Sequence, residues 1–322
     1  MSATDTIQSG LGPLIGHAEA VADLEHAIKD DRMHHGWMFS GPRGIGKARL
    51  ALLFATAILS GRKTLEYVLD DKTTHLIETG AHPDFKLIAR PFDDKGKQKT
   101  EIPVESIRKL SHFYSLRPAM GGWRVAVIDS MDELNKSSAN ALLKTLEEPP
   151  GKSLLILLSH GEAPILPTLK SRCRKLRLEP LEEAAAVKVL AANGVSTADA
   201  RSLLSLAPGR PGRALAMTDK LVRDAAAAMR RAVNSDAGAK AVSTAMSTAS
   251  RSPDAFDAAF ALICDEARQA ANSSENAIQA GDWARLYTEL QTLGAETRGL
   301  NMDKSQAVAS AVLLFQKQRR AG

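Results

Sequence analysis

An α/β domain on a parallel sheet with helices on both faces, followed by an all-helical remainder, is the fold class that the sequence predicts. Three observations carry it. Short apolar runs with little or no polar alternation recur through the first half, at residues 36–39, 124–128 and 154–158; such runs suit strands covered on both faces. Longer stretches of helical periodicity separate them, the alternation of a doubly wound parallel sheet. From Glu182 onward the strand signals vanish and Ala-rich helical segments take over.

Each element follows from its residues. The run 36–39 is a short strand that leads into a Gly-rich stretch beginning at Gly41. Residues 48–60 carry Leu50, Leu52, Leu53, Ala57 and Ile58, which give a helix a broad apolar face. Residues 84–88 read as a second strand, and 124–128 as a third that ends in Asp129. Residues 138–148 form a helix stopped by Pro149 and Pro150. The run 154–158 is a further buried strand, while 174–178 alternates charged and apolar residues in the manner of a strand. The stretch 93–99, DDKGKQK, reads as an exposed charged loop. In the second half, helices are expected within 224–233 and 254–271. Helical stripes recur at Leu286, Leu290 and Leu293, and at Val308, Ala311, Val312 and Phe315. The turn-rich stretch 208–212 reads as a hinge between two helical parts, and no fixed-period repeat is visible.

Composition bounds the function. The length of 322 residues suits two or three domains, and 44% apolar residues are enough for real cores. Lys and Arg number 42 against 37 Asp and Glu, a net charge of +5. That excess is compatible with a nucleic-acid partner and equally with a mildly basic soluble protein. Two cysteines, Cys173 and Cys264, cannot supply a four-ligand zinc site and build no disulfide framework, so a reducing cytosol is expected. No apolar run is long enough to span a bilayer, and residues 1–13 lack the basic start and apolar stretch of a signal peptide. A soluble cytoplasmic protein without a membrane segment is the expectation.

The stretch Gly41-Pro42-Arg43-Gly44-Ile45-Gly46-Lys47 fits the phosphate-loop pattern GxxxxGK[ST] up to its last position. Glycines let the backbone curl so that its N–H groups face a phosphate at the positive end of the following helix. Lys47 would reach the β- and γ-phosphates. The last position should carry a hydroxyl that ligates Mg²⁺. It is Ala48, whose methyl group cannot coordinate a hard cation. ATP or ADP binding is left open, with any Mg²⁺ poorly anchored and no residue predicted as a dedicated metal ligand.

The run from Arg124 to Asp129 has the form of a Walker B strand, an apolar segment that delivers a carboxylate to its C-terminal end. Asp129 joins Gly41, Gly44, Gly46, Lys47 and Ala48 as a candidate nucleotide-site residue. A hydrolysing relative would follow the Asp with a Glu acting as general base. Here Ser130 follows, and a hydroxyl has no useful basicity at neutral pH. Asp132 and Glu133 are near in sequence but fall beyond the strand end. Loss of a metal ligand and of the base argues together against efficient hydrolysis.

The motif NALLKTLEEPP at 140–150 and LKSRC at 169–173 resemble signatures of the bacterial DNA polymerase III clamp-loader subunits, members of the AAA+ family. LIGH at 14–17, the phosphate loop, HPD at 82–84 and IPVESIR at 102–108 are similar to the same module in the same order. Together they cover roughly 14–178. The resemblance implies an AAA+ P-loop domain over 1–180, a helical lid over 181–220 and an all-helical collar for oligomerisation over 221–322. It implies a ring with gamma/tau and delta subunits that opens the sliding clamp and places it on primed DNA. Ala48, Ser130 and the length are similar to the delta-prime branch, which acts as a stator without turning over ATP. Arg172, in the SRC motif, would then be the catalytic group, given in trans as an arginine finger to a neighbouring subunit; the plain alternative is a surface salt bridge or a DNA contact. Lys144 and Lys152 are candidates for DNA or neighbour contacts, though a solvated helix face explains them as cheaply.

Two features depart from the family pattern, and a third position reads two ways. Residues 62–81 hold no cysteine where many relatives place a four-cysteine zinc module, so no zinc is expected. Ser159 stands near where motor subunits place a polar sensor, and it could serve as one or merely cap the strand end. At the second sensor the aligned residue is Gly212, flanked by Arg210 and Arg213. The rival readings are an active AAA+ ATPase, such as a motor subunit, and a DNA-dependent ATPase of another pathway.

Overall fold

The structure, a computed structural model, describes residues 11–30, 33–93, 98–161, 165–234, 238–299 and 302–321. Most of the expected charged loop, residues 94–97, lies outside them.

The chain divides into two compact units. The first comprises Met1–Thr197 with Pro208–Arg213; the second comprises Ala198–Ala207 with Ala214–Gly322, so the segment 181–220 contributes to both.

The first unit is built on a five-stranded sheet of β1 (Gly36–Ser40), β2 (Phe85–Ile88), β3 (Arg124–Asp129), β4 (Ser153–Ser159) and β5 (Arg174–Arg177). All pairings are parallel, in the order β2-β3-β4-β1-β5. The period of two in a strand sorts the apolar runs to the two faces. Leu154, Ile156 and Leu158 join Trp37, Phe39, Val125 and Val127 in one core, against the helix Lys47–Ser60. Leu155 and Leu157 join Met38, Ala126 and Ile128 in the other, against Val104–Ser115 and Lys136–Glu147. Continuous apolar runs are therefore two half-patterns read together, as a sheet covered on both sides requires.

Local chemistry sets the helix ends. The helix Lys136–Glu147 starts two residues ahead of the expected 138, because the Asn135 side chain accepts from the Ser138 N–H at 2.9 Å. It stops before Pro149, which disfavours helical geometry in the residue ahead of it. The expected strand 174–178 is assigned only to Arg177, although Leu178 still donates its N–H to Ser40 at 2.8 Å.

The HPD stretch is a piece of framework. Asp84, 1% exposed, pairs with Arg124 at 3.3 Å and accepts the N–H groups of Ala119 and Met120 at 2.8 Å each. Arg124 also donates to the carbonyls of Phe113 and Arg117 and lies over the Phe113 ring. A buried ion pair survives when most of its remaining valences are filled in this way; the Arg124 Nε alone of that guanidinium meets no partner among the described residues.

The second unit is helical. Its longer helices are Lys220–Asn234, Ala239–Ala249, Pro253–Ser273, Ala277–Gly299 and Lys304–Ala321. Both predicted stripes point inward through Leu286, Leu290, Val308, Ala311, Val312 and Phe315, while Leu293 of the first stripe is only partly buried. Trp283 packs on Phe315 with ring centroids 5.1 Å apart. No helix among the described residues is long and apolar enough to cross a membrane.

Candidate functional site

A parallel sheet brings the C-terminal ends of its strands to one edge. β4 lies between β1 and β3, with Ser159 level with Ser40 and Leu158 level with Asp129. The loop after β1, Asp129 at the end of β3, and Ser159-His160 after β4 therefore meet side by side.

The loop itself has the geometry its glycines permit. Gly44 has φ of 88°, and a Cβ there would stand 2.6 Å from the Arg213 backbone nitrogen. Only glycine suits that conformation and that approach. Gly212 donates its N–H to the Gly44 carbonyl at 2.8 Å, and Leu181 donates to Gly209 at 2.9 Å. The stretch expected as a hinge is thus fastened to the first unit and backs the loop directly. Gly46, with φ of 109°, caps the helix Lys47–Ser60, whose first-turn N–H groups give the loop its positive end. Lys47 is 3% exposed and donates to the carbonyls of Gly41 and Pro42, each at 2.6 Å. His17 braces the outer side, its Nε2 2.7 Å from the Ile45 carbonyl. Burial lowers the His17 pKa, and the charge of Lys47 adds to that; the carbonyl contact opposes it.

The carboxylate side is closed. Asp129 is 4% exposed, and its Oδ1 lies 3.4 Å from His160 Nε2. The His160 N–H donates to Asp132 at 2.7 Å, and Ser159 Oγ reaches the same carboxylate at 3.5 Å. Ser130 is fully buried, and its hydroxyl meets no hydrogen-bond partner among the described residues. Glu133, at the end of the 3₁₀ turn Met131–Glu133, is held between Arg43 at 3.2 Å and Arg90 at 3.0 Å. Burial raises its pKa, against the pull of the two guanidinium groups. Both acids beyond the strand are committed to neighbours, Asp132 to the His160 N–H and Glu133 to Arg43 and Arg90.

A phosphate suits the donors present: a glycine-curled backbone, a helix N-terminus and a buried ammonium. A divalent cation does not, since Ala48 offers no oxygen and the facing edge of Asp129 is taken by an imidazole.

Arg172 lies elsewhere. It follows the helix Pro167–Ser171, donates to the Thr168 carbonyl at 3.0 Å and pairs with Glu147 at 2.8 Å. Its side chain is 35% exposed. The Arg172 carbonyl would stand 3.3 Å from a Cβ on Gly36, at the start of β1. The phosphate loop begins at Gly41, past the other end of that strand, roughly 16 Å away at the strand rise. Arg172 thus sits apart from Gly41, Gly44, Gly46, Lys47, Ala48 and Asp129, which the fold brings together.

Sequence reasoning missed His160, the Arg43–Glu133 pair and Glu147. His160 directly follows the sensor-position Ser159, so its nearness to Asp129 becomes readable once β4 is placed beside β3. Glu147 carries a weaker signal, the first of two adjacent carboxylates, Glu147 and Glu148, ahead of the prolines of the 140–150 motif.

Fold and loop define a class: a P-loop α/β module with a helical partner unit, the carboxylate at the end of its third strand followed by Ser. Within that class, the chain belongs to the family described as DNA polymerase III, delta subunit, whose model matches residues 16–182. It is 34% identical over 194 residues to DNA polymerase III subunit delta' of Pseudomonas aeruginosa, covering 59% of this chain and 57% of that protein. It is 31% identical over 191 residues to the Escherichia coli subunit delta', covering 58% and 55%. The tau/gamma subunit of Haemophilus influenzae is 32% identical over 171 residues, 53% of this chain and 24% of that protein. The chain thus aligns with little more than half the length of its delta' relatives. Among solved structures, a DNA polymerase III gamma subunit-related protein of Thermotoga maritima aligns over 94% of this chain and 100% of that chain, with a TM-score of 0.45 at 14% identity.

Proposed function

We propose that this chain is a delta-prime-like stator of the DNA polymerase III clamp loader. In this reading it assembles with gamma/tau and delta subunits and helps place the sliding clamp on primed DNA. It turns over no ATP itself and lends Arg172 to the ATP site of a neighbouring subunit. The observation that carries the reading is the separation of Arg172 from the chain's own phosphate loop by the length of β1. An arginine at the start of a strand cannot serve a phosphate held beyond its end. A guanidinium that is 35% exposed at a helix terminus supports a role toward another chain's phosphate. Arginine suits that task because its planar fork stays charged and grips phosphate oxygens in two places.

Two features support the absence of intrinsic turnover. Ser130 takes the base position, and Glu133 is committed to Arg43 and Arg90. The intact glycines and Lys47 keep a second reading alive, an ATPase in its own right. Assembly and turnover separate the two. Mixed with gamma/tau and delta subunits, the chain is expected to enter a complex of fixed stoichiometry, measured by size-exclusion light scattering. Alone, it is expected to release no phosphate above the level of its Lys47→Ala variant. Brisk turnover by the isolated chain that vanishes in that variant favours the second reading.

A further inference from the structure

We infer that His160 stands in for the divalent cation at Asp129, so that the loop Gly41–Lys47 takes a nucleotide phosphate without a metal ion. The inference rests on reading that loop and Asp129 as the two halves of a nucleotide site.

Space argues for it first. A Mg²⁺ ion bound directly to a carboxylate sits at about 2.0–2.1 Å from the oxygen and keeps a shell of waters. His160 Nε2 lies 3.4 Å from Asp129 Oδ1, and the two side chains are 5% and 2% exposed. An ion on that edge of the oxygen would fall within bonding distance of the ring nitrogen, with no room for its waters. The backbone that carries the imidazole is also held, because the His160 main-chain N–H is tied to Asp132 at 2.7 Å and the next residue back, Ser159, is the last of a fully buried strand.

Chemistry argues the same way. The loop position that would give a hydroxyl to the ion is Ala48, 7% exposed. Ser130 has a hydroxyl, but it is sealed at 1% exposure. Among the described residues, no group of three or more His, Cys, Asp or Glu side chains is arranged to hold a metal. The charge that a nucleotide's phosphates need comes instead from the buried Lys47 ammonium and the helix N-terminus behind Gly46.

Mn²⁺ serves as the probe, with the full-length chain. Free Mn²⁺ is followed by electron paramagnetic resonance, and the His160 imidazole by two-dimensional NMR, assigned through His160→Gln. The unaltered chain, with or without ADP, is expected to leave the free Mn²⁺ signal at the level of Asp129→Asn and the His160 resonances unbroadened. A fluorescent ADP is expected to bind equally, within twofold, in Mg²⁺ and in EDTA. The double variant Ala48→Thr/His160→Ala is expected to gain an Mn²⁺ site that Asp129→Asn removes again. Mn²⁺ uptake by the unaltered chain that broadens His160 or depends on Asp129 overturns the inference. So does a tenfold or greater tightening of ADP by Mg²⁺, or a folded double variant that gains no Mn²⁺ site. If ADP binds in neither condition, the phosphate reading fails and the inference with it, while the Mn²⁺ comparison still reports whether His160 closes Asp129 to metal.

Discussion

Arg172 and Glu147 form an ion pair of 2.8 Å that joins the SRC stretch to the end of the LEEPP helix. The guanidinium keeps a second bond to Thr168 and stays 35% exposed, while Glu147 is 47% exposed. Two of the motifs that carry the family resemblance therefore meet at the arginine proposed to act on another subunit. The pair is a surface pair, and such pairs contribute about 0–1 kcal/mol. Glu147→Gln and Arg172→Ala are accordingly expected to shift the stability of the isolated chain by no more than about 1 kcal/mol, measured by urea unfolding. A larger loss would make Arg172 a fold residue rather than one held ready for a partner.

The HPD stretch predicts the opposite behaviour. Asp84→Ala leaves the buried Arg124 guanidinium without its counter-charge and frees the N–H groups of Ala119 and Met120. Breaking such a pair costs about 3–5 kcal/mol. A drop of that size in the urea-unfolding free energy is expected, and a change below about 1 kcal/mol contradicts the framework role.

Histidine burial gives a pH dependence. Desolvation chiefly lowers the pKa values of His17, His35 and His82 from 6.5. With the folded values below the unfolded one, the stability gained from the neutral rings is present above about pH 6.5 and is lost as pH falls through the folded values. Glu133, raised chiefly by burial, works in the opposite sense nearer the carboxylate range. The urea midpoint is expected to fall on acidification from about pH 7.5 to about pH 6. A midpoint that rises over that interval contradicts the assignment.

Cys173 is buried against the second core, and burial pushes its thiol up to about 11. Only the thiolate reacts at a useful rate. Iodoacetamide at about pH 8 is expected to spare Cys173 in the folded chain and to label it on unfolding, read by mass spectrometry. Rapid labelling of the native chain contradicts that burial.

Much of this was legible in the residues. The apolar runs gave the positions of β1, β3 and β4 to within a residue or two, and Gly41 to Lys47 gave the loop, because both signals are local. Strand order was not legible, since no residue states which strand it will pair with. With it went His160, which matters only because β4 lies beside β3. The Arg43–Glu133 pair was hidden for the same reason, as it joins residues 90 positions apart. The stretch 208–212 read as a hinge from its prolines and glycines; only the structure places Gly212 against Gly44, where a Cβ on Gly212 would stand 3.1 Å from the Gly44 carbonyl oxygen.

The most direct measurement is ATP turnover at the neighbouring subunit, by single-turnover phosphate release from a complex reconstituted with Arg172→Ala. A finger supplied in trans is worth about 10³–10⁵ in rate at the site it serves, so that site is expected to slow by about 10³-fold or more while assembly stays intact. Arg172→Lys is expected to restore little, since an ammonium lacks the planar fork. Release from the Arg172→Ala complex at the unaltered rate contradicts the account.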